Sequence, residues 1–461
     1  MTPGLRAGHV HGALRCESCE NATVHARLIL VTPLLAALCA CPPAAPPPNA
    51  PEENWQSDLL RTDLAVDLSD PDALRATATL LLDNSGQPAA SFDVRGLDID
   101  AVVLPSPDLR WELEDGRLDV ALPRDVGPVS VEVTYGFAVG ERFEGFMDTG
   151  ATLTWPYWCG NLFPCRPHPS DGARFGVTVS GAAEGLVTIS TADSVTDAPA
   201  YQLAWATGPY VRTELGVSVG GTAIAHHAPA EDLQNANAGT ADLVAIFSWL
   251  EQTLGPYPFG PEAGAVQVDW GAGAFGGMEH HPVWHVSRSA MGDATVHAHE
   301  AAHGWFGDGV RLRCWEDFVL SEGTATYLAA RAQQVVVGAT RGDAVWAGYD
   351  DELRLMTSVG LSNRDRVVWP AGCGDIDVLE DGLFGRIVYI KGAWFFRQVA
   401  DAVGAEALDA ALGAFTRDAV GSDALMAGLL DRIRTETGFD PEPLAQQWLR
   451  TEGVPAGWDD R

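Results

Sequence analysis

The hydrophobic period changes once along this chain, near residue 230, and that change limits the folds open to it. Between Trp55 and Pro229, segments such as "DLAVDL", "RATATLLL", "RLDVAL", "VSVEVTYGFAV", "FGVTVSG" and "LVTIST" alternate apolar and polar residues, separated by Asp, Gly and Pro. Strand side chains point alternately to two faces, so a period of two with frequent turn residues predicts an antiparallel β domain. From Glu231 the apolar residues return at helical intervals, and "EDLQNANAGTADLVAIFSWLEQTLG" predicts one amphipathic helix closing at Gly255-Pro256. Two short strands, "AVQVDW" and "PVWHV", flank a glycine-rich "GAGAFGGMEHH", and helical spacing dominates beyond Asp293. The expected architecture is multidomain: an N-terminal antiparallel β domain over 55–229, then an α+β domain over 230–461 with a helical C-terminal half.

Ahead of the β domain, Leu28 to Ala40 is a 13-residue apolar run, too short to span a bilayer and similar to the core of a secretory signal. Leu38-Cys39-Ala40-Cys41 resembles a bacterial lipobox. The expectation is an export segment over 1–41, with lipid on Cys41 attaching the mature chain to a membrane; plain cleavage without lipid is the alternative. Residues 42–54, rich in proline, read as an extended spacer. Export would leave Cys159, Cys165, Cys314 and Cys373, an even number in an oxidising compartment. Pairing within each domain joins Cys159 to Cys165 and Cys314 to Cys373.

The formal charge of −33 disfavours any nucleic-acid partner, because phosphates would be repelled. Only one of the 29 basic residues is a lysine, Lys391. In a chain that otherwise uses arginine, this suggests a position suited to a compact ammonium rather than a fork.

"VHAHEAAHGWFG", residues 296–307, holds three histidines. His299 and His303 are one helical turn apart and project from one face, where two neutral imidazoles can hold one zinc ion. Glu300 beside them can act as general base. His297 falls on roughly the opposite face and is expected to be a packing or surface residue. Nineteen positions after His303 stands Glu322, in "FVLSEGTATYL", with Ser321 a possible helix cap. Two histidines and a glutamate leave a fourth coordination position open, as catalytic zinc requires. Taken alone, Glu322 reads equally well as a first-turn glutamate complementing a helix dipole.

With this third ligand, "HEAAHGWFGDGVRLRCWEDFVLSEGTATYL" resembles the zinc-binding region of the aminopeptidase N family of metallopeptidases. "GGMEH" resembles the family's G-A-M-E-N motif, "VYIKG" its Y-x-K-G segment, and "LFPCRPHPSDGARF" part of its first domain. The resemblance implies a thermolysin-like catalytic domain with one Zn2+ per chain, held by His299, His303 and Glu322. Glu300 would be the base and Tyr389 the donor to the oxyanion, although the residues alone leave Tyr327 an equal candidate. Gly276, Gly277, Met278 and Glu279 would bind substrate, with Glu279 on the free α-amine of a peptide.

Four departures stand out. His280 and Ser321 replace asparagines, and the glutamine that commonly helps bind the amine has no counterpart in "ATLTWPYWCGN". The sequence ends at Arg461, so the large C-terminal helical domain of many relatives is expected to be missing and the cleft less enclosed. The implied function is an exported zinc aminopeptidase; a zinc endopeptidase on the same scaffold, or a catalytically silent binding lipoprotein, are the alternatives.

Overall fold

In the computed structural model, the alternation of the first half becomes alternating burial. Along Arg75–Asn84 the residues Ala76, Ala78, Leu80, Leu82 and Asn84 turn into the core while those between stay near the surface. The structure describes residues 53–140, 144–191, 194–271, 275–358, 366–374, 376–456 and 458. The export segment and nearly all of the spacer lie outside the described residues.

Six strands form the first sheet, in the order Ala198–Pro199, Gly172–Ser180, Asp58–Asp67, Arg75–Asn84, Gly127–Phe137, Leu97–Val103. It is not wholly antiparallel: Asp58–Asp67 runs parallel to Gly172–Ser180, with Leu64 opposite Val177. Alternation encodes which face of a strand is buried, and carries no information on the direction of its neighbour.

A second, five-stranded sheet has the order Tyr210–Val217, Ala223–Pro229, Glu262–Val268, Val283–Ser287, Gly277–Met278. It runs across the division placed after residue 229, so Tyr210–Pro229 belongs with the second half of the chain. Its central strands Ala223–Pro229, Glu262–Val268 and Val283–Ser287 pair in parallel and are buried almost throughout, as expected where both faces are covered.

Among the described residues nine α-helices follow: α1 (Leu233–Gly239), α2 (Leu243–Leu254), α3 (Ala294–His303), α4 (Phe318–Ala332), α5 (Ala339–Met356), α6 (Arg386–Val403), α7 (Ala405–Ala419), α8 (Met426–Thr437) and α9 (Glu442–Trp448). The single helix expected over 231–255 is two. Gly239 packs so tightly that a Cβ would lie 2.2 Å from the carbonyl of Met291, and the Thr240 hydroxyl donates to the Ala236 carbonyl, closing α1 early. No described helix is long and apolar enough to cross a membrane.

Helix α4 is buried at every position except Arg331, so it runs through the interior rather than over it. It crosses α6 where two glycines meet: a Cβ on Gly392 would fall 2.5 Å from the Cα of Gly323, and one on Gly323 2.8 Å from that of Gly392. Glu322 and Tyr389 sit beside this crossing on their respective helices. Gly392→Ala is expected to force the helices apart, at a cost of roughly 1–3 kcal/mol. Thermal unfolding would register the loss, and a larger fall in turnover than in zinc content would show that Tyr389 had moved.

Both expected disulfides form, Cys159 with Cys165 and Cys314 with Cys373. The second ties the segment before α4 to the loop before α6. The ammonium of Lys391 is buried and donates to the Thr451 carbonyl at 2.6 Å, so one compact donor meets one acceptor there. Burial lowers its pKa to about 8.

Candidate active site

Helix α3 starts at Asp293, whose carboxylate accepts from the Thr295 amide at 2.8 Å. Two turns of helix then carry His299 and His303 into a cavity of about 940 Å³. Their Nε2 atoms are 3.1 Å apart, and Glu322 Oε2 from α4 lies 3.0 Å from the first and 3.4 Å from the second. A tetrahedral zinc ion with bonds of about 2.0–2.1 Å has donor-to-donor edges of about 3.3 Å, so this triangle fits one face of its coordination shell.

The other ring nitrogens are engaged in a way that keeps both Nε2 atoms available. His303 Nδ1–H donates to the Phe306 carbonyl at 2.9 Å, and His299 Nδ1–H points to the Thr326 hydroxyl at 3.4 Å. Thr326 in turn donates to the Glu322 carbonyl, one turn earlier on α4. Such outer contacts fix the tautomer and orientation of metal-binding imidazoles. Ser321 is not the cap of α4, which starts after Asp317; its hydroxyl lies 3.1 Å from His303 Nδ1. The helix begins a turn earlier than the Ser-Glu pair suggested because Phe318, Val319 and Leu320 are themselves core residues. His297 turns away from the cavity, buried, with its Nε2–H donating to the Met291 carbonyl at 2.9 Å. Burial lowers its pKa to about 4, so it is a neutral packing residue.

Glu300 lies against the edge strand Gly277–Met278. A Cβ on Gly277 would be 2.3 Å from Glu300 Oε1, so glycine is what lets the carboxylate approach the strand. His281 braces the same residue from behind: its Nε2–H donates to the Glu300 carbonyl at 3.0 Å, and its Nδ1 accepts from the Tyr257 hydroxyl at 2.7 Å. Gly276, Gly277, Met278 and Glu279 all line the cavity, and carboxylate oxygens of Glu279 and Glu300 come within 4.8 Å of a ring nitrogen of His303.

The electrostatics call for a cation at this point. Burial raises the proton affinity of Glu300 and Glu279, and neighbouring carboxylates add to it, while His303 offsets part of the effect. Asp308 is fully buried with neither carboxylate oxygen hydrogen-bonded, and its pKa rises for the same reasons. Burial opposes a charge on His303, yet Glu322, Glu279 and Glu300 outweigh it and hold that imidazole well above its ordinary pKa.

Of the two tyrosines, the structure brings Tyr389 to the site and leaves Tyr327 away from it. The Tyr389 ring lies 5.8 Å from that of His299, nearly parallel, and lines the cavity. The Arg386 guanidinium lies over the same ring, 5.3 Å from its centroid. Burial, with Glu322 and Glu279 nearby, pushes the phenol pKa up, so it stays a donor. Tyr327 packs between Trp346 and Phe396 in the core.

Sequence reasoning missed several residues of this site. Trp155 of the first half, where no glutamine was found, forms a cavity wall with Phe275 and Phe384 at ring distances of 6.0 and 6.4 Å. Arg341 and Arg386 supply cations to the opening. No local pattern marks them, since they reach the cavity from elements distant in sequence. His280 does not line the cavity; its ring stands edge-on to His285 at 4.6 Å.

Comparison with known proteins places these observations. The chain is 30% identical to aminopeptidase N of Streptomyces lividans over 222 residues, which is 45% of this chain and 25% of that protein. It is 27% identical to putative aminopeptidase-2 of Caenorhabditis elegans over 332 residues, 63% of this chain and 16% of that one. The chain thus spans a quarter or less of the curated relatives it matches. In fold it is similar to an M1 zinc metallopeptidase from Deinococcus radiodurans, with a TM-score of 0.74 at 20% identity, covering 87% of this chain and 95% of that one. Native yeast LTA4 hydrolase is similar with a TM-score of 0.72 at 18% identity, over 87% of this chain and 69% of that one. Residues 280–448 match the Peptidase family M1 domain, in agreement with the resemblance of the sequence motifs to the zinc-dependent aminopeptidase N family.

Proposed function

We propose that this chain is a zinc aminopeptidase that removes N-terminal residues from peptides. The observation that carries the reading is the convergence, in one cavity, of the His299, His303 and Glu322 donors with the separate carboxylates of Glu300 and Glu279.

His299, His303 and Glu322 would hold the zinc, which when bound would supply Lewis acidity toward water and the scissile carbonyl. The chain's own groups do the rest. Glu300 takes a proton from the attacking water on its carboxylate and delivers it to the nitrogen of the leaving amine. Its buried setting favours this by strengthening it as a base. Tyr389, kept protonated, donates from its hydroxyl to the developing oxyanion. Glu279 accepts from the ammonium at the start of the peptide, which fixes the first residue in register and disfavours a blocked N-terminus. Among the described residues Gly277–Met278 is the last strand of its sheet, so an extended peptide can lie along its outer side. Trp155, Phe275, Phe384 and Met278 give the cavity an apolar wall. The same proposal has the chain exported and held at the cell envelope by lipid on Cys41, checked by the mass of its first mature residue.

The test is hydrolysis of a fluorogenic aminoacyl amide beside its N-acetylated form, for wild type and Glu279→Gln. The wild type should cleave only the free amine, and Glu279→Gln should lose about a hundredfold in kcat/KM, the cost of leaving one member of a buried charge pair alone. Equal cleavage of the acetylated substrate would point to an endopeptidase instead. Zinc binding without turnover of any peptide would point to a binding protein.

A further inference from the structure

Glu279 and Arg341 both line the cavity, beside opposite ends of α3. Glu279 lies close to His303, the last residue of α3, whereas Arg341 in the first turn of α5 reaches Thr295, the second residue of α3. Thr295 and His303 are eight residues apart, or about 12 Å of helix; of the two donor histidines on α3, His303 stands at the Glu279 end and His299 between the two points.

Arg341 is unusual for this chain. Acidic residues number 62 against 29 basic ones, and most of the arginines in contact with another side chain meet a carboxylate. Arg386, in the same cavity, is held by both oxygens of Glu352 at 2.8 Å. Arg341 has only neutral partners among the described residues: its Nε donates to the Gln333 side-chain carbonyl at 3.2 Å and one Nη to the Thr295 hydroxyl at 3.5 Å. These contacts aim the guanidinium into the cavity and leave its charge unpaired.

Resting on the aminopeptidase reading, we propose that Arg341 binds the C-terminal carboxylate of short peptides and makes tripeptides the preferred substrates. An extended tripeptide spans about 10 Å. With its ammonium on Glu279 and its first peptide bond at the zinc donors, its carboxylate falls at the Thr295 end of α3. A guanidinium fork matches a carboxylate with two parallel hydrogen bonds, which a peptide amide cannot accept in the same way. The cavity thus carries an anion for the amine and a cation for the carboxylate, complementary to a small zwitterion.

The experiment compares Leu-Ala-Ala with its C-terminal amide, using wild type, Arg341→Gln and Arg341→Lys. Wild type should prefer the free acid by about 10- to 100-fold in kcat/KM, mostly through KM. Arg341→Gln should lower the acid to the level of the amide while leaving the amide and a fluorogenic aminoacyl amide unchanged; Arg341→Lys should keep part of the preference. Calorimetric binding of both peptides to zinc-loaded Glu300→Gln, with and without Arg341→Gln, gives a readout independent of turnover. Equal handling of acid and amide by the wild type, or a preference that survives Arg341→Gln, would overturn the assignment. A binding difference that depends on Arg341, with hydrolysis of neither peptide, would uphold it and instead remove the aminopeptidase reading.

Discussion

Replacing Glu300 by Gln is expected to lower kcat/KM for a free-amine substrate by about 10³–10⁴-fold while leaving one zinc ion bound and the fold unchanged. The size follows from what general-base catalysis contributes. The selectivity follows from geometry: glutamine has the shape of the glutamate, so it can fill the space against Gly277 where a Cβ would come within 2.3 Å of the carboxylate. The brace from His281 goes to the Glu300 backbone and is untouched by the change. Steady-state kinetics beside metal analysis checks this. Retention of more than a tenth of the activity would move the base elsewhere, with Glu279 and Asp308 the nearest carboxylates to examine.

Removing zinc with a chelator is expected to abolish activity, restored by one equivalent of the metal, and to lower the melting temperature by about 5 °C. Glu279, Glu300, Glu322 and Asp308 are all buried around His303, and without a divalent cation their mutual repulsion is relieved only by protons. A ligand present at a thousand times its dissociation constant stabilises by about 4 kcal/mol, which for a folded unit of this size corresponds to a few degrees. The sign with pH can be worked out. Because the carboxylates raise the pKa of His303, the proton there must leave before that imidazole can bind metal, so zinc affinity should rise with pH across that titration. Calorimetry of the metal-free protein in buffers of different ionisation heat would reveal the released proton. A melting temperature indifferent to zinc would mean that the three donors do not hold it.

How much was legible in the sequence differs by element. The pairing of His299 with His303, and their separation from His297, follows from helical geometry alone. Glu322 needed the fixed spacing of a family pattern, because nothing local distinguishes a ligand from a first-turn glutamate. The choice between Tyr389 and Tyr327 could not be made from local sequence, since both lie in apolar helical runs; it depends on α4 and α6 closing at Gly323 and Gly392. Strand direction escaped for a related reason: period-two alternation reads the same beside a parallel neighbour as beside an antiparallel one. The sheet likewise took in Tyr210–Pro229 across an expected boundary.

The sequence by itself determined the periodicities, the two faces of α3 and the chemistry of the metal donors, because each depends on residue type and on short-range spacing; the disulfide pairs, one of them spanning 59 residues, followed only from assigning two cysteines to each half. Only the tertiary structure decided that Trp155, Arg341 and Tyr389 share one cavity with them, and that among the described residues Arg341 arrives there without a carboxylate partner. Those facts depend on distances between segments up to about 230 residues apart in the sequence, which are set by packing of the whole core; of the three, only Tyr389 carries a local mark, the "VYIKG" stretch.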